Sequence, residues 1–201
     1  MPLKRLQEVY AVDTALLPPQ PLIVSGGLGS DVRFERSLLA EHNAVVHGYD
    51  FTPLAVEYVT GLKLGPNFHL HELGLSVRST LRCFVTERLD HISTSEFAGH
   101  PNYHSGMQER EFPAIDLPEL LRRHPHIDVL KLDIEGSEHD LLLQLTNERG
   151  ARITQMCVEF SYWMLPRALP GTEEDAVERL RRLGYRATRT GNHEWHFGRI
   201  A

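Results

Sequence analysis

Three carboxylates and a glycine-rich turn carry most of the chemistry this sequence can offer. Val129-Leu130-Lys131-Leu132-Asp133-Ile134-Glu135-Gly136-Ser137-Glu138 passes from an apolar run into acids, a glycine and a helix start, and Ile153 to Phe160 brings a third acid, Glu159, to its own end. An acid held where a buried strand stops can take a proton from a reacting hydroxyl or anchor a polar ligand. Upstream, Leu22-Ile23-Val24 runs into Ser25-Gly26-Gly27-Leu28-Gly29-Ser30-Asp31. Gly27 and Gly29 fill two positions of a dinucleotide fingerprint whose third falls on Val32. Glycines there admit a ligand close to the backbone, which suits a pyrophosphate or the amino-acid end of a sulfonium cofactor. Asp50, 23 residues beyond Gly27, lies near the offset of about 20 at which an acid accepts from ribose hydroxyls. It would repel a 2′-phosphate, favouring NAD or S-adenosylmethionine over NADP. The plain alternatives are that Asp133 caps a helix or pairs with Lys131, and that Asp50 is a solvated capping acid.

The chain has 12 histidines, so metal binding has to be weighed. His100 and His104 flank Pro101, which disfavours helical alignment. His193 and His196 straddle a turn and point to opposite strand faces by period-two counting. No metal ligand is assigned, although a divalent ion held by Asp133, Glu135 or Glu159 remains an alternative use of those acids.

Residues placed this way need strands that end at a common edge. Ile127 to Leu132 is too short for a helix and apolar throughout, as in a parallel strand covered on both faces. Ser137 is expected to cap the helix that follows, with Leu141, Leu142 and Leu145 on its packed side. Leu22 to Val24, Ala44 to Tyr49 and Ile153 to Phe160 read as further core strands, Asn67 to His71 as a weaker one, and Ser79 to Thr86 as an edge strand or ribbon. Helices are expected from Val32, over Leu54 to Leu62 and Asp116 to Arg123, and after Thr172 with Gly184 as the stop. Tyr185 to Thr188 and Glu194 to Ile200 should form a terminal hairpin across Gly191-Asn192. Residues 1–21 read as a short helix and a proline-rich linker, 22–201 as one domain, and Ile92 to Glu111 as a long substrate-side loop.

A net charge of −6 without a basic cluster argues against a nucleic-acid partner. Two cysteines, Cys83 and Cys157, offer no disulfide framework and read as buried thiols. No apolar run has the length of a membrane span. A cytoplasmic, membrane-free protein is expected.

In order, the glycine loop, the acid of Asp50, the long loop, Leu130-Lys131-Leu132-Asp133-Ile134-Glu135-Gly136, a second acid-ended strand and the hairpin resemble the FkbM family of S-adenosylmethionine-dependent methyltransferases. The likeness spans residues 22–200 and rests most on Asp116-Leu117 and on Ile127 to Glu138. It implies an α/β, Rossmann-like class I methyltransferase fold, with a mostly parallel seven-stranded sheet, helices on both faces and a C-terminal antiparallel hairpin. It also implies O-methylation of a small molecule or sugar hydroxyl. On this resemblance Ser25, Gly27, Gly29 and Asp31 border the methionine part of the cofactor, Asp50 holds the ribose, and Phe51, Glu72 and Leu73 flank the adenine. Asp133 is the first candidate base, with Glu135 or Glu159 as base or anchor and His104 or His139 as further proton acceptors. The family loop often reads Asp-x-Gly-x-Asn-x-Gly, where this chain has Ser25, Gly27, Gly29 and Asp31. Its frequent Glu-x-His is here Glu159-Phe160-Ser161. A nicotinamide oxidoreductase would share the loop and Asp50 but lacks a Tyr-x-x-x-Lys pair, and a non-catalytic binding module is the other alternative.

Overall fold

The computed structural model describes residues 3–6, 10–85, 95, 106–161 and 172–200. In chain order it contains β1 (Lys4–Arg5), β2 (Ala11–Val12), β3 (Leu22–Gly26), α1 (Arg33–His42), β4 (Val45–Tyr49), α2 (Pro53–Leu62), β5 (Phe68–His71), β6 (Gly74–Leu75) and β7 (Thr80–Val85). There follow β8 (Gln108–Ile115), α3 (Leu117–Arg123), β9 (Ile127–Leu132), α4 (Glu138–Leu142), α5 (Asn147–Gly150), β10 (Ile153–Glu159), α6 (Thr172–Arg182), β11 (Tyr185–Arg189) and β12 (Glu194–Arg199).

Seven strands form one sheet in the order β11-β12-β10-β9-β3-β4-β5. All neighbours from β10 to β5 run parallel, and β12 lies antiparallel between β10 and β11. This is the Rossmann-like arrangement expected from the sequence. The reversal of strand order beside β3 opens a crevice at the strands' carboxyl ends. Period two along β9 divides the core. Leu130 and Leu132 pack with Leu120, Leu141 and Leu180 on the side of α3, α4 and α6. Val129 packs with Phe34 and Leu38 of α1 on the other side, which makes Lys131 the one charged side chain on that inner stripe of β9.

The first 20 residues depart from the expected helix and linker. Their described part is the β1–β2 ribbon and a 3₁₀ turn at Thr14–Leu16. The Asp13 amide donates to Gln155 Oε1 at 2.9 Å and the Cys157 thiol to the Ala11 carbonyl at 3.2 Å, so this strap packs on β10 and Tyr10 and Val12 join the core. The alternation of Tyr10 and Val12 inward is strand periodicity too short to stand out beside the prolines.

The expected loop from Ile92 to Glu111 is corrected at its end, because β8 begins at Gln108. It pairs antiparallel with β7 and parallel with β6. Its alternating charges and Pro113 mask it in the sequence. The rest of that loop, apart from Ser95, Gly106 and Met107, lies outside the described residues, as does His104. Ser137 makes no capping bond to α4; Glu138 does the work of ordering that turn. Gly184, at φ +89°, ends α6 as expected. Both cysteines are buried and neither is in a disulfide, and no described helix is long and apolar enough to cross a membrane.

Candidate active site

The glycine loop is fastened to the ends of two neighbouring strands. The Gly27 amide donates to the Tyr49 carbonyl at 3.0 Å, and the Asp133 amide donates to the Gly26 carbonyl at 3.1 Å. Gly27 has φ +75°, and a Cβ there would stand 1.7 Å from the Asp133 carbonyl oxygen. No other residue fits. Gly29 is also left-handed, at φ +54°, but no atom lies within 4 Å of where its Cβ would be.

Asp50 receives the loop. Its Oδ2 accepts from the Leu28 and Gly29 amides at 2.9 and 3.1 Å, and its Oδ1 accepts from the Thr52 amide at 2.8 Å. The carboxylate therefore holds the loop in shape and keeps its remaining acceptor capacity, mainly on Oδ1, for a ligand hydroxyl.

On β9, Lys131 is 3% exposed. Its ammonium donates to the Gly27 carbonyl at 2.5 Å and stands 3.7 Å from Asp133 Oδ2. Burial alone would lower its pKa, but the carboxylates of Asp133, Glu35, Glu159 and Asp50 outweigh it and raise the value. The lysine stays charged.

Tyr10, absent from the sequence-level site, joins the two acid-ended strands. Its hydroxyl stands 2.9 Å from Asp133 Oδ2 and 2.6 Å from Glu159 Oε2. A phenol has one proton to donate, so between two carboxylates it shares that proton or a carboxyl carries another. Burial first, then the charges of Asp133 and Glu159, push the tyrosine pKa well above its usual value. Burial likewise raises Asp133, against the pull of Lys131, and raises Glu159. The Asp133 side chain keeps 31% exposure towards the crevice.

The turn after Asp133 is strained, because Glu135 has φ +56°, which L side chains rarely adopt. The buried Glu138 carboxyl braces it, accepting from the Ile134 amide at 2.7 Å and the Gly136 amide at 3.2 Å, one on each side of Glu135. Burial pushes the Glu138 pKa up to about 8. A folded-state pKa raised from 4.5 gives stability that is complete below about pH 4.5 and is lost as pH climbs towards 8. Glu138→Gln should therefore flatten the fall in melting temperature between pH 5 and 8. The parent is expected to lose up to about 1 kcal/mol per pH unit there relative to the variant. Parallel melting curves would show that the carboxyl is already ionised.

The crevice holds a cavity of about 240 Å³ and opens to solvent at its mouth. Gly27, Gly29, Asp31, Asp50, Phe51, Asp133 and Glu135 all line it. Phe51 packs on Phe112 of β8 with ring centroids 4.8 Å apart, so the small sheet closes an apolar end formed with Leu75, Leu81 and Cys83. Asp31 chelates Arg33 at 2.6–3.0 Å. Glu159 meets the site through Tyr10.

Three expected cofactor residues are placed elsewhere. Ser25 turns inward, fully buried, and donates to Glu35 Oε1 at 2.5 Å. Glu72 is exposed and Leu73 packs on the main core, while Gly74 and Leu75 take the lining position one strand step on. His139 lies 3.5 Å from Asp140. His193 and His196 bond separately, to Glu173 at 2.6 Å and Gln155 at 2.9 Å.

The site suits a cationic ligand. Four carboxylates line it against one lysine, and the Leu28 and Gly29 amides, which a pyrophosphate would require, are occupied by Asp50. A sulfonium nucleoside fits that donor set; a dinucleotide's pyrophosphate would meet acids instead of free amides.

Comparisons with known proteins agree with this. No curated protein matches the sequence. Among solved structures, the fibrillarin/Nop5p complex aligns with TM-score 0.50 and 8% identity over 92% of this chain and 75% of that one. The Methanococcus jannaschii fibrillarin pre-rRNA processing protein aligns with TM-score 0.50 and 9% identity over 98% and 69%. At these identities the likeness is one of fold. The Methyltransferase FkbM domain description matches residues 61–187, which takes in β9, β10 and their acids and leaves the glycine loop and Asp50 outside. With that match over more than half of its length, the chain belongs to the FkbM methyltransferase family, whose cofactor is S-adenosylmethionine.

Proposed function

We propose that this protein transfers a methyl group from S-adenosylmethionine to a hydroxyl oxygen of a small molecule or sugar, with Asp133 as general base. The observation that carries the reading is the Asp133–Tyr10–Glu159 chain at the floor of the crevice. The bound cofactor supplies an electrophilic methyl carbon activated by its sulfonium. Gly27, Gly29 and Asp50 hold it at the carboxyl edge of the sheet, while Phe51 and Leu75 exclude water from the apolar end. Alignment of acceptor oxygen, methyl and leaving sulfur supplies much of the acceleration.

An alkyl hydroxyl attacks poorly, so loss of its proton to Asp133 as the bond forms lowers the barrier. Burial raises the proton affinity of Asp133, which makes it a stronger base than a solvated carboxylate. As Asp133 takes the proton, the Tyr10 hydroxyl can turn its hydrogen bond wholly to Glu159. Lys131 limits the repulsion between the acids and fixes the loop. Glu135 stands at the mouth, where it can accept from an acceptor hydroxyl. The lack of a basic cluster supports a small polar acceptor over a polynucleotide.

The test is a screen of hydroxylated small molecules and sugars with methyl-labelled cofactor, repeated on variants. Asp133→Asn should bind S-adenosylhomocysteine as the parent does and transfer label about 10²–10⁴ times more slowly. Tyr10→Phe should lose less. Parental rates in Asp133→Asn would remove the base from this scheme.

A further inference from the structure

Behind the crevice, on the far side of Tyr49, three histidines from distant parts of the sequence converge. β4 and β5 pair in parallel with His47 opposite His69 and Tyr49 opposite His71, so period two puts His47, Tyr49 and His71 on one face. His124, just past the end of α3, completes the group. A ring nitrogen from each of His47, His71 and His124 lies within 4.8 Å of the other two. His47 Nδ1 is 2.9 Å from His71 Nε2, and the Tyr49 hydroxyl is 2.8 Å from His124 Nε2. The Tyr49 ring stacks on His71 at 4.4 Å, and His47 lies 4.4 Å from His124.

Hydrophobic packing does not call for such a cluster, since three imidazoles, two partly buried and His124 buried, give up hydration and repel one another's protons. Burial first, then neighbouring imidazoles and the Arg123 guanidinium, lower the pKa values in the cluster, His47 to about 4. The adjacent cation Arg123 donates at 2.8 Å to Glu119, a carboxylate it shares with Arg122.

We infer that His47, His71 and His124 form a binding site for a late first-row divalent metal ion of the zinc class, with the Tyr49 phenol or a water in the fourth position. Three imidazoles with one oxygen suit zinc, cobalt or nickel better than magnesium or calcium, which prefer all-oxygen shells. Zinc–nitrogen bonds of about 2.0–2.1 Å place tetrahedral ligands about 3.3 Å apart, so the His47–His71 pair has to open slightly from 2.9 Å while the other separations, all within 4.8 Å, adjust modestly. The ion ties edge strand β5 and the end of α3 to β4, directly behind the crevice wall. It is separate from the acids and from methyl transfer.

The test uses tag-free, chelator-treated full-length protein titrated with zinc chloride, with melting temperature and a zinc-edge X-ray absorption spectrum as readouts. One equivalent should bind at micromolar concentration, raise the melting temperature by several degrees and show three nitrogens and one further light atom near 2.0–2.1 Å. His71→Asn, at a half-exposed edge position, and His124→Gln should each lose the ion. His193→Asn should keep it. Absence of micromolar binding, or binding undiminished in both cluster variants, overturns the site. A spectrum dominated by sulfur or carboxylate ligands does the same without relying on any variant.

Discussion

Gly27→Ala should cost the protein much of its stability and all measurable cofactor binding, whereas Gly29→Ala should be mild. Both glycines are left-handed, so each substitution carries a backbone penalty of about 1–2 kcal/mol. They differ in what the new carbon meets. At Gly27 it would stand 1.7 Å from a backbone oxygen of Asp133, while at Gly29 it meets nothing within 4 Å. A backbone oxygen cannot rotate aside, so the loop has to lift from β9. The bonds from the Gly27 amide to Tyr49 and from Lys131 to the Gly27 carbonyl then open together. At roughly 2–4 °C per kcal/mol for a chain of this size, Gly29→Ala should melt within several degrees of the parent. Gly27→Ala should fall by roughly 10 °C or more, or fail to accumulate in soluble form. Equal melting temperatures in thermal unfolding followed by circular dichroism would contradict the seating of this loop.

The second large effect is expected from Lys131→Met, which keeps the length and removes the charge. Four carboxylates, those of Asp133, Glu35, Glu159 and Asp50, raise the lysine pKa. Glu35 Oε2 has no partner among the described residues, and burial raises that group's pKa as well. Without the ammonium, this buried acidic group loses its counter-charge and Gly27 its donor. Removal of one side of a buried charged contact costs about 3–5 kcal/mol, or roughly 10–15 °C here. The acids should respond by taking up protons, so the variant should recover part of its stability as pH falls from 8 towards 5. A variant that melts like the parent at pH 7.5 would show that the lysine is dispensable to the acid cluster.

What the sequence disclosed follows physical pattern. β3, β4, β9 and β10 are legible because strands covered on both faces must be apolar, and Asp133, Glu135 and Glu159 stand out where such runs stop. The topology was legible through the order of motifs. Tyr10 was not, because the two-residue strand that follows it gives too little periodicity and its partners lie 123 and 149 residues away. β8 was hidden by Pro113 and alternating charge. Ser137 has the type of a helix cap, yet the neighbouring Glu138 organises the turn because it reaches amides on both sides of strained Glu135. The histidines at 47, 71 and 124 look ordinary singly, and only strand register and the end of α3 bring them together. Ser25, Glu72 and Leu73 were placed by analogy of position; Ser25 instead turns inward to Glu35, and Gly74 and Leu75 line the crevice next to Glu72 and Leu73.

The claim on which the rest depends is that the crevice between the glycine loop and Asp133 holds a sulfonium-type nucleoside. Thermal unfolding with S-adenosylhomocysteine, or with NAD at the same concentration, tests it most directly, since a ligand that binds only the folded state stabilises it by about 2.7 kcal/mol at 100 times its dissociation constant. The account predicts a rise of roughly 5–10 °C with S-adenosylhomocysteine and none with NAD; stabilisation by NAD alone, or by neither, would contradict it.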